Sequence, residues 1–327
     1  MNDSSLSVII PAFNEAGSIG DLVRQVRSRH PRAEVIVVDD GSTDATAKEA
    51  AEAGALVYRH PYNIGNGAAI KSGIRAATGE LLVFMDGDGQ HDPGEIQSFL
   101  ELFPDFDMVV GARTNGGQAS LGRAVGNRLY NWLGAYVSQF PIQDLTSGFR
   151  AVKASVAREF LYLLPNTYSY PTTLTLGVLR TGRSLKYIPI RARTRRSGKS
   201  GIRIFRDGAR FFMIIIRICT LYSPMRVFLP VSLTLALLGL INYAFTFFTQ
   251  GRFTNMSALL LINSVMIFMM SLISEQICQL RFERRERRAP LERVGAGREL
   301  SCRPGNPEEG APAASGNPRS GGEGRGA

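Results

Sequence analysis

The apolar positions of this chain follow two rhythms over its first 110 or so residues. Continuous apolar runs of strand length occur at Leu6 to Pro11, Ala33 to Val38, Leu56 to Tyr58, Leu81 to Met85 and Met108 to Val110. Between them lie stretches with helical spacing, notably Ile19 to Val26, an Ala-rich segment ending at Ala53, and a segment running through about Ala77. An unbroken apolar run suits a central parallel strand with helices on both its faces. The pattern therefore predicts an α/β fold with a doubly wound sheet. Further helices are expected from Pro93 to about Phe103 and, amphipathic, from Arg123 to Phe140.

The second half changes character. Ile204 to Tyr222 carries Arg206, Arg210 and Arg217 among Phe and Ile. At about 100° per residue these arginines fall in a narrow sector, which fits a helix lying in the lipid headgroup layer. An Arg-bearing helix packed on the domain surface is the alternative. Val227 to Gln250 and Met256 to Leu280 are almost uncharged. Each is long enough to cross a hydrocarbon core of ~30 Å. Glu275 falls in the last turns of the second run, and Gly251 to Asn255 is short enough for a hairpin turn. The expected organisation is a catalytic-sized domain over 1–203, an interfacial helix over 204–225, a transmembrane hairpin over 226–281 and a disordered tail over 282–327.

Composition sharpens this picture at two points. With 327 residues and 44% hydrophobic content, the chain can bury a full α/β domain and still supply an anchor. The formal net charge is +10, but the basic residues cluster around the two long apolar runs. Phospholipid is thus the expected anionic partner, and nucleic acid is not. Arg206, Arg210, Arg217 and Arg226 precede the first run, and Arg281, Arg284, Arg285, Arg287 and Arg288 follow the second. The positive-inside rule then places the catalytic domain and both termini in the cytoplasm. A short polar amino terminus without a secretory signal agrees with that expectation. Cys219, Cys278 and Cys302 are too scattered for a zinc site or a disulfide framework.

Candidate chemistry gathers where the strands end. Asp86 and Asp88 follow an apolar strand at i, i+2 spacing with Gln90 just beyond, a set of hard oxygen donors suited to Mg²⁺ or Mn²⁺ on a diphosphate. An ordinary acidic turn has the same look. Asn14 and Glu15 follow the first strand, and Asp39-Asp40-Gly41-Ser42-Thr43-Asp44 the second, where Thr43 or Asp44 can cap the next helix. Asn63 to Gly67 is a Gly-rich turn before a helix, able to present N–H groups to phosphate or to be a plain turn. Arg113 ends a strand on the same edge, either to hold a phosphate or to balance the carboxylates. Asp144, in the polar run Gln143 to Arg150, reads by itself as no more than a helix cap.

Taken in order, Pro11-Ala12-Phe13-Asn14-Glu15, Val38 to Asp44, Asn63 to Gly67, Asp86 to His91, Gly111-Ala112-Arg113, Asp144 to Arg150 and a basic loop near Arg195 resemble a known pattern. It is that of the family-2 inverting glycosyltransferases, of the polyprenyl-phosphate sugar synthase type. The resemblance covers about residues 6 to 205 and implies a glycosyltransferase A-type domain. It implies that Pro11, Phe13, Glu15, Val38 and Asp40 line the base and ribose pocket of a nucleotide sugar, joined by Asp86, Gly87 and Asp88. It implies that Asp86, Asp88 and Gln90 hold the metal, and that Arg113, Arg195 and Lys199 meet phosphate oxygens. Arg123 and Asn127 are implied to meet the acceptor phosphate, and Asp144, with Asp88, to be catalytic. Two departures stand out. The chain reads Gly198-Lys199-Ser200-Gly201, so the lysine usual in the synthases is missing at Gly201 and its charge falls to either Lys199 or Arg203, and Gly87 and Gly89 replace bulkier residues, which would loosen the metal loop.

The function implied is transfer of a hexose from a donor of the GDP-mannose or UDP-glucose type to polyprenyl phosphate at the cytoplasmic face. The rival readings are transfer to a lipid or glycan hydroxyl, and a non-catalytic nucleotide-sugar-binding scaffold. The sugar, the base and the oligomeric state are not legible in the sequence.

Overall fold

The computed structural model describes residues 5–113, 121–166, 169–190, 220 and 223–286, with side chains omitted at 121–127, 137 and 281–286. The alternation of strands and helices read from the sequence runs β1 (Leu6–Ala12), α1 (Ile19–Arg29), β2 (Glu34–Asp39), α2 (Thr46–Glu52), β3 (Leu56–Arg59), α3 (Asn66–Ala76) and β4 (Leu81–Phe84). A single 3₁₀ turn at Pro93–Glu95 leads into α4 (Ile96–Leu102), then come β5 (Met108–Arg113) and α5 (Leu121–Ser138). The domain closes with β6 (Arg150–Lys153), α6 (Ala154–Phe160), α7 (Tyr170–Arg180) and β7 (Leu185–Ile190).

The seven strands form one sheet in the order β3-β2-β1-β4-β6-β5-β7. Within β1, Ile9 packs with Ile36, Ile70 and Phe84 on one side, while Val8 and Ile10 pack with Val23, Val37 and Phe99 on the other. Both faces of the central strand are therefore covered, which is why it reads as a continuous apolar run. Each fully buried Ile, Val or Phe in these layers contributes about 1.5–3 kcal/mol. The chain winds outward from β1 through β2 to β3, then crosses back to lay β4 on the other side of β1. That reversal opens a crevice at the carboxyl ends of β1 and β4.

One strand departs from the expected parallel pattern. β6 pairs antiparallel with both β4 and β5, matching Phe84 and Val110 with Arg150. β7 pairs parallel with β5 and carries Pro189 at the free edge of the sheet, where a missing N–H costs least.

Beyond Ser223 the chain forms two long helices, α8 (Pro224–Gln250) and α9 (Asn255–Glu286). Both are long and apolar enough to cross a membrane. They pack as a hairpin whose inner face is small and polar: Ser232 Oγ donates to Ser264 O at 3.0 Å and Ser264 Oγ to Ser232 O at 2.9 Å. Gly239 meets Leu260 and Leu261 of the facing helix. Small residues and reciprocal hydroxyl bonds at the seam are how helices associate in lipid, where apolar burial gives no drive. Leu233, Leu237, Phe245, Ile262 and Met266 point outward and are exposed.

The hairpin is joined to the α/β layer system at one level. Glu275 of α9 accepts from Arg180 of α7 at 3.1 Å and from the Met225 N–H at the start of α8 at 3.3 Å. Tyr136 of α5 donates its hydroxyl to Arg226 O at 3.2 Å, and Arg226 Nη1 donates back to Tyr136 O at 3.1 Å. Cys278 and Val227 enter the same apolar cluster as Leu174 and Phe160. Of the expected interfacial segment 204–225 only 220 and 223–225 are among the described residues, and the tail beyond Glu286 lies outside them entirely.

Candidate active site

Three loops meet at the carboxyl edge of the sheet, and their own polar side chains stitch them together. After β1, the Asn14 N–H donates to Ser42 Oγ and the Glu15 N–H to Thr46 Oγ1, both at 2.9 Å. The Thr43 N–H donates to Asn14 Oδ1 at 2.9 Å. Asn14 has a φ of +55°, a conformation Asn tolerates better than other non-glycine residues. Neither expected cap takes the N-cap position, which falls to Ala45; Asp44, one residue earlier, accepts from the Thr46 N–H at 3.0 Å, and Thr43 serves the cross-loop contact. Ser18 Oγ lies 3.0 Å from Gly87 O, binding the first loop to the acidic turn after β4.

In that turn Asp86 and Asp88 are half-buried, and Asp88 Oδ1 accepts the Gln90 N–H at 3.1 Å. Gly87 is packed so that a Cβ would lie 3.1 Å from Pro11 O, and Gly89 has a φ of +72°. Both glycines are thus required by the loop's path, and they do not loosen it. His91 is buried, stacked on Phe149 with ring centroids 4.9 Å apart, and its Nδ1 accepts the Asp86 N–H at 3.4 Å. Burial pushes the His91 imidazole down to about 4, against the opposing pull of the Asp88 charge, so the ring is neutral near pH 7. A neutral Nδ1 is what that N–H requires.

The Asp86 carboxylate rests against Gly148, where a Cβ would lie 2.5 Å from Oδ2. The segment 144–150 is brought there because β6 runs between β4 and β5. Asp144, nearly buried, is gripped by Arg113 through Nε to Oδ2 at 2.8 Å and Nη2 to Oδ1 at 3.1 Å. Its Oδ1 also takes the N–H and hydroxyl of Thr146, each at 3.0 Å. Burial alone would raise the Asp144 carboxyl, but the Arg113 bonds and charge, with those from Thr146, hold it below the usual carboxylate range. The same pairing, assisted by the Asp86 charge, raises Arg113 despite its own burial. Asn131 of α5 fixes the loop from behind, donating to Gln143 O at 2.7 Å and accepting the Leu145 N–H at 3.1 Å.

One participant was not anticipated. Arg150 is wholly buried beneath this loop and donates to Ser147 O, to Pro171 O at 2.7 Å and to Thr175 Oγ1 at 3.0 Å. Burial lowers its pKa, opposed by Tyr170, Tyr187, Asp144 and Asp86. It remains a cation directly behind the acidic pair. The only sequence signal was its place in the Asp144 to Arg150 run.

The residues for which the resemblance implies a nucleoside contact differ in burial. Phe13 is 43% exposed and Glu15 is half-buried at the mouth of the crevice. Pro11 and Val38 are buried within their strands, Val38 in the apolar layer with Ile70. Their side chains are taken up by the interior. Asp40 is buried too, accepting from His60 Nδ1 at 2.7 Å, the Ile64 N–H at 3.0 Å and the Gly65 N–H at 2.8 Å. Its carboxylate is engaged in holding the Asn63 to Gly67 turn in place. An open cavity of about 680 Å³ lies alongside, lined by Ser42, Thr43, Arg59 and His60. Arg195 and Lys199 lie outside the described residues, as do the side chains of Arg123 and Asn127; only the α5 backbone is described at positions 123 and 127.

Asp86, Asp88 and Gln90 suit a hard divalent cation in kind, offering two carboxylates and an amide oxygen on one turn. Among the described residues no cluster of three His, Cys, Asp or Glu side chains forms a closed metal cage.

Comparison with known proteins points the same way. Residues 7–161 match the glycosyl transferase family 2 model, and residues 223–280 match the GtrB C-terminal hairpin model. The chain is 27% identical over 206 residues to undecaprenyl-phosphate mannosyltransferase of Micrococcus luteus, covering 59% of this chain and 85% of that one. It is 32% identical over 190 residues to dodecaprenyl-phosphate galacturonate synthase of Rhizobium johnstonii, covering 54% of this chain and 56% of the relative. Its fold is shared with glucosyl-3-phosphoglycerate synthase of Mycobacterium tuberculosis, solved with Mn²⁺, uridine diphosphate and phosphoglyceric acid. There the TM-score is 0.54 at 21% identity, over 66% of this chain and 78% of that one. A glycosyltransferase A-type sheet with its crevice at the β1–β4 reversal, followed by a docked apolar hairpin, makes this chain a member of glycosyl transferase family 2 that carries a GtrB-type C-terminal hairpin.

Proposed function

We propose that the protein transfers a hexose from a nucleoside-diphosphate donor, of the GDP-mannose or UDP-glucose type, to a polyprenyl phosphate at the cytoplasmic face of the membrane, inverting the anomeric centre. The names of the two curated relatives support that acceptor class. The observation that carries the reading lies in this chain: Asp144, the candidate base, is clamped by Arg113 and held below the ordinary carboxylate range. A carboxylate so stabilised is a poor proton acceptor for a hydroxyl. A phosphate monoester needs little help, since its second proton leaves near pH ~6. The site therefore fits an acceptor that arrives already ionised.

In this reading Asp86, Asp88 and Gln90 hold Mg²⁺ or Mn²⁺ with the donor diphosphate. When bound, such an ion offsets the charge that gathers on the departing phosphate. Asp144 orients Arg113, whose guanidinium faces the acidic turn and steadies phosphate oxygens. Arg150 supplies fixed positive potential from below. Phe13 and Glu15 meet the nucleoside, and Arg195, Lys199, Arg123 and Asn127 complete the phosphate contacts.

The test is transfer from radiolabelled donor by the full chain in nanodiscs containing undecaprenyl phosphate. The expected product is an acid-labile lipid-linked sugar, its rate rising through about pH 6 with the acceptor's second ionisation and level above that. Asp88→Ala is expected to abolish turnover with the melting temperature little changed. An acid-stable glycoside, or a rate that climbs with an enzyme group well above neutrality, would point to a hydroxyl acceptor and sink the proposal.

A further inference from the structure

We infer that Asn131 is a positioning residue for transfer: from behind the acidic loop it holds Asp144 where Arg113 can grip both carboxylate oxygens. Its role depends on the reading above, in which Arg113 steadies phosphate oxygens. The Asn131 carboxamide meets the peptide groups on both sides of Asp144, donating from Nδ2 to Gln143 O at 2.7 Å and accepting the Leu145 N–H at Oδ1 at 3.1 Å. An amide offers a donor and an acceptor in one plane, so two bonds of opposite sense fix both the height and the tilt of the stretch from which the Asp144 side chain springs. Residues in a loop have no strand ladder to take up these groups, and here a helix side chain stands in for one. The same turn of α5 supplies two further contacts. A Cβ on Gly134 would lie 2.9 Å from Leu145 Cδ2 and 3.0 Å from Ile142 Cδ1, so the loop packs directly on the helix. Thr172 Oγ1, paired with the Tyr130 hydroxyl at 2.9 Å, donates to Leu145 O at 3.4 Å.

The hold matters because the clamp it serves is demanding. Arg113 stands at the exposed end of β5 and meets Asp144 by two bonds, Nε to Oδ2 at 2.8 Å and Nη2 to Oδ1 at 3.1 Å. A bidentate pair of this kind needs the carboxylate and guanidinium planes to coincide, which makes it sensitive to small shifts of either backbone. Strand pairing settles the Arg113 side, since β5 lies between β6 and β7. The Asp144 side has α5 in place of a strand. That helix is itself a fixed reference, because Tyr136 donates to Arg226 O at 3.2 Å and receives Arg226 Nη1 on its own carbonyl at 3.1 Å. With the Asn131 bonds removed, the 143–145 peptides are free to slide on α5, and Arg113 loses one of its two contacts and its aim at the acidic turn. Packing alone would ask only for a side chain of this size at position 131.

Three variants of the full chain in nanodiscs separate hydrogen bonding from packing. Asn131→Leu keeps the volume and loses both bonds. Asn131→Asp keeps an acceptor for the Leu145 N–H but sets a carboxylate against Gln143 O, and Asn131→Gln keeps the donor and acceptor on a longer stem. Expected for Asn131→Leu is a fall in kcat of about tenfold to a hundredfold with the donor KM within about twofold, a fall nearly as large for Asn131→Asp, and partial recovery for Asn131→Gln. In an Arg113→Ala background, Asn131→Leu should cost less than about twofold more, since residues that act through one contact are not additive. Hydrogen exchange over 143–146 should rise in Asn131→Leu while the melting temperature stays within a few degrees. Should Asn131→Leu not fold, Asn131→Asp, equal in size and polar, carries the same cycle. An undiminished kcat in Asn131→Leu, a full additional loss in the Arg113→Ala background, or unchanged exchange over 143–146 would overturn the assignment. If the parent makes no lipid-linked sugar from undecaprenyl phosphate, the acceptor reading falls alone, and the cycle is read instead on release of nucleoside diphosphate as the donor sugar passes to water.

Discussion

At the scale of single residues, the site is a set of charges that define one another. Asp86 can lie where it does because Gly148 has no side chain: a Cβ there would sit 2.5 Å from Oδ2. Gly148→Ala should therefore swing the Asp86 carboxylate away without disturbing the sheet. We expect turnover to fall by roughly a hundredfold, as for an ångström-scale displacement of a positioned group. The dependence on added Mn²⁺ should shift to higher concentration and the melting temperature should stay within a few degrees, both measurable on the same preparation. The carboxylates of this site were legible in the sequence because an apolar run stops abruptly at Asp86. The pairing of Arg113 with Asp144 was not, since 31 residues separate them and either residue has a sufficient local explanation. Arg150 was hidden for a related reason: a buried arginine satisfied by carbonyl oxygens looks, in one dimension, like any strand-end cation.

Among the elements, β6 has the largest effect on the site and was the hardest to foresee. Its four residues, Arg150 to Lys153, carry charge at both ends and show neither clear alternation nor a long apolar run. Only the gap between β4 and β5 makes them a strand, which is a tertiary cause. β1, β2 and β4 were readable because burial on both faces leaves them uniformly apolar. The β5, β6 and β7 side of the sheet is pinned by Asp107, which accepts from Lys153 Nζ at 3.0 Å and from the Ser184 N–H and hydroxyl at 3.1 Å each. Burial would raise its carboxyl, but these partners outweigh it and set it below the ordinary value of 3.8. A depressed carboxyl gives stability that is present above the unfolded value and is lost as pH falls through the folded one. Asp107→Ala should accordingly cost about 1–3 kcal/mol at pH 7. In thermal melts the gap between variant and parent should close as the buffer is taken below pH 3.8. A gap that persists at the lowest pH would assign the loss to packing instead.

On the scale of the whole molecule, the question is how the α/β layers are joined to the apolar hairpin. The described part of the chain through Glu286 belongs to a single compact unit. Its joint is polar, with Glu275 shared between Arg180 and the Met225 N–H. Glu275→Ala removes the carboxylate that both donors use. Transfer to a membrane-borne acceptor should drop several-fold, donor affinity by titration should be unchanged, and hydrogen exchange should rise at the α7 end and at the start of α8. Unchanged exchange at both places would show that the joint does not depend on this contact. The two long apolar helices and their order are plain in the sequence from apolar length. Their docking was not, because a lone Glu near the end of a span announces a partner without naming it.

Cys278 and Val227 carry a further implication. By entering the interior alongside Leu174 and Phe160, they make the anchor part of the enzyme's own filling. A fragment trimmed ahead of Ser223 would leave that recess open to water, and a chimera with a borrowed anchor would have to refill it with matching shape. If the hairpin crosses a bilayer as proposed, thinning or thickening that bilayer is expected to strain the packing shared by the hairpin and the α/β layers.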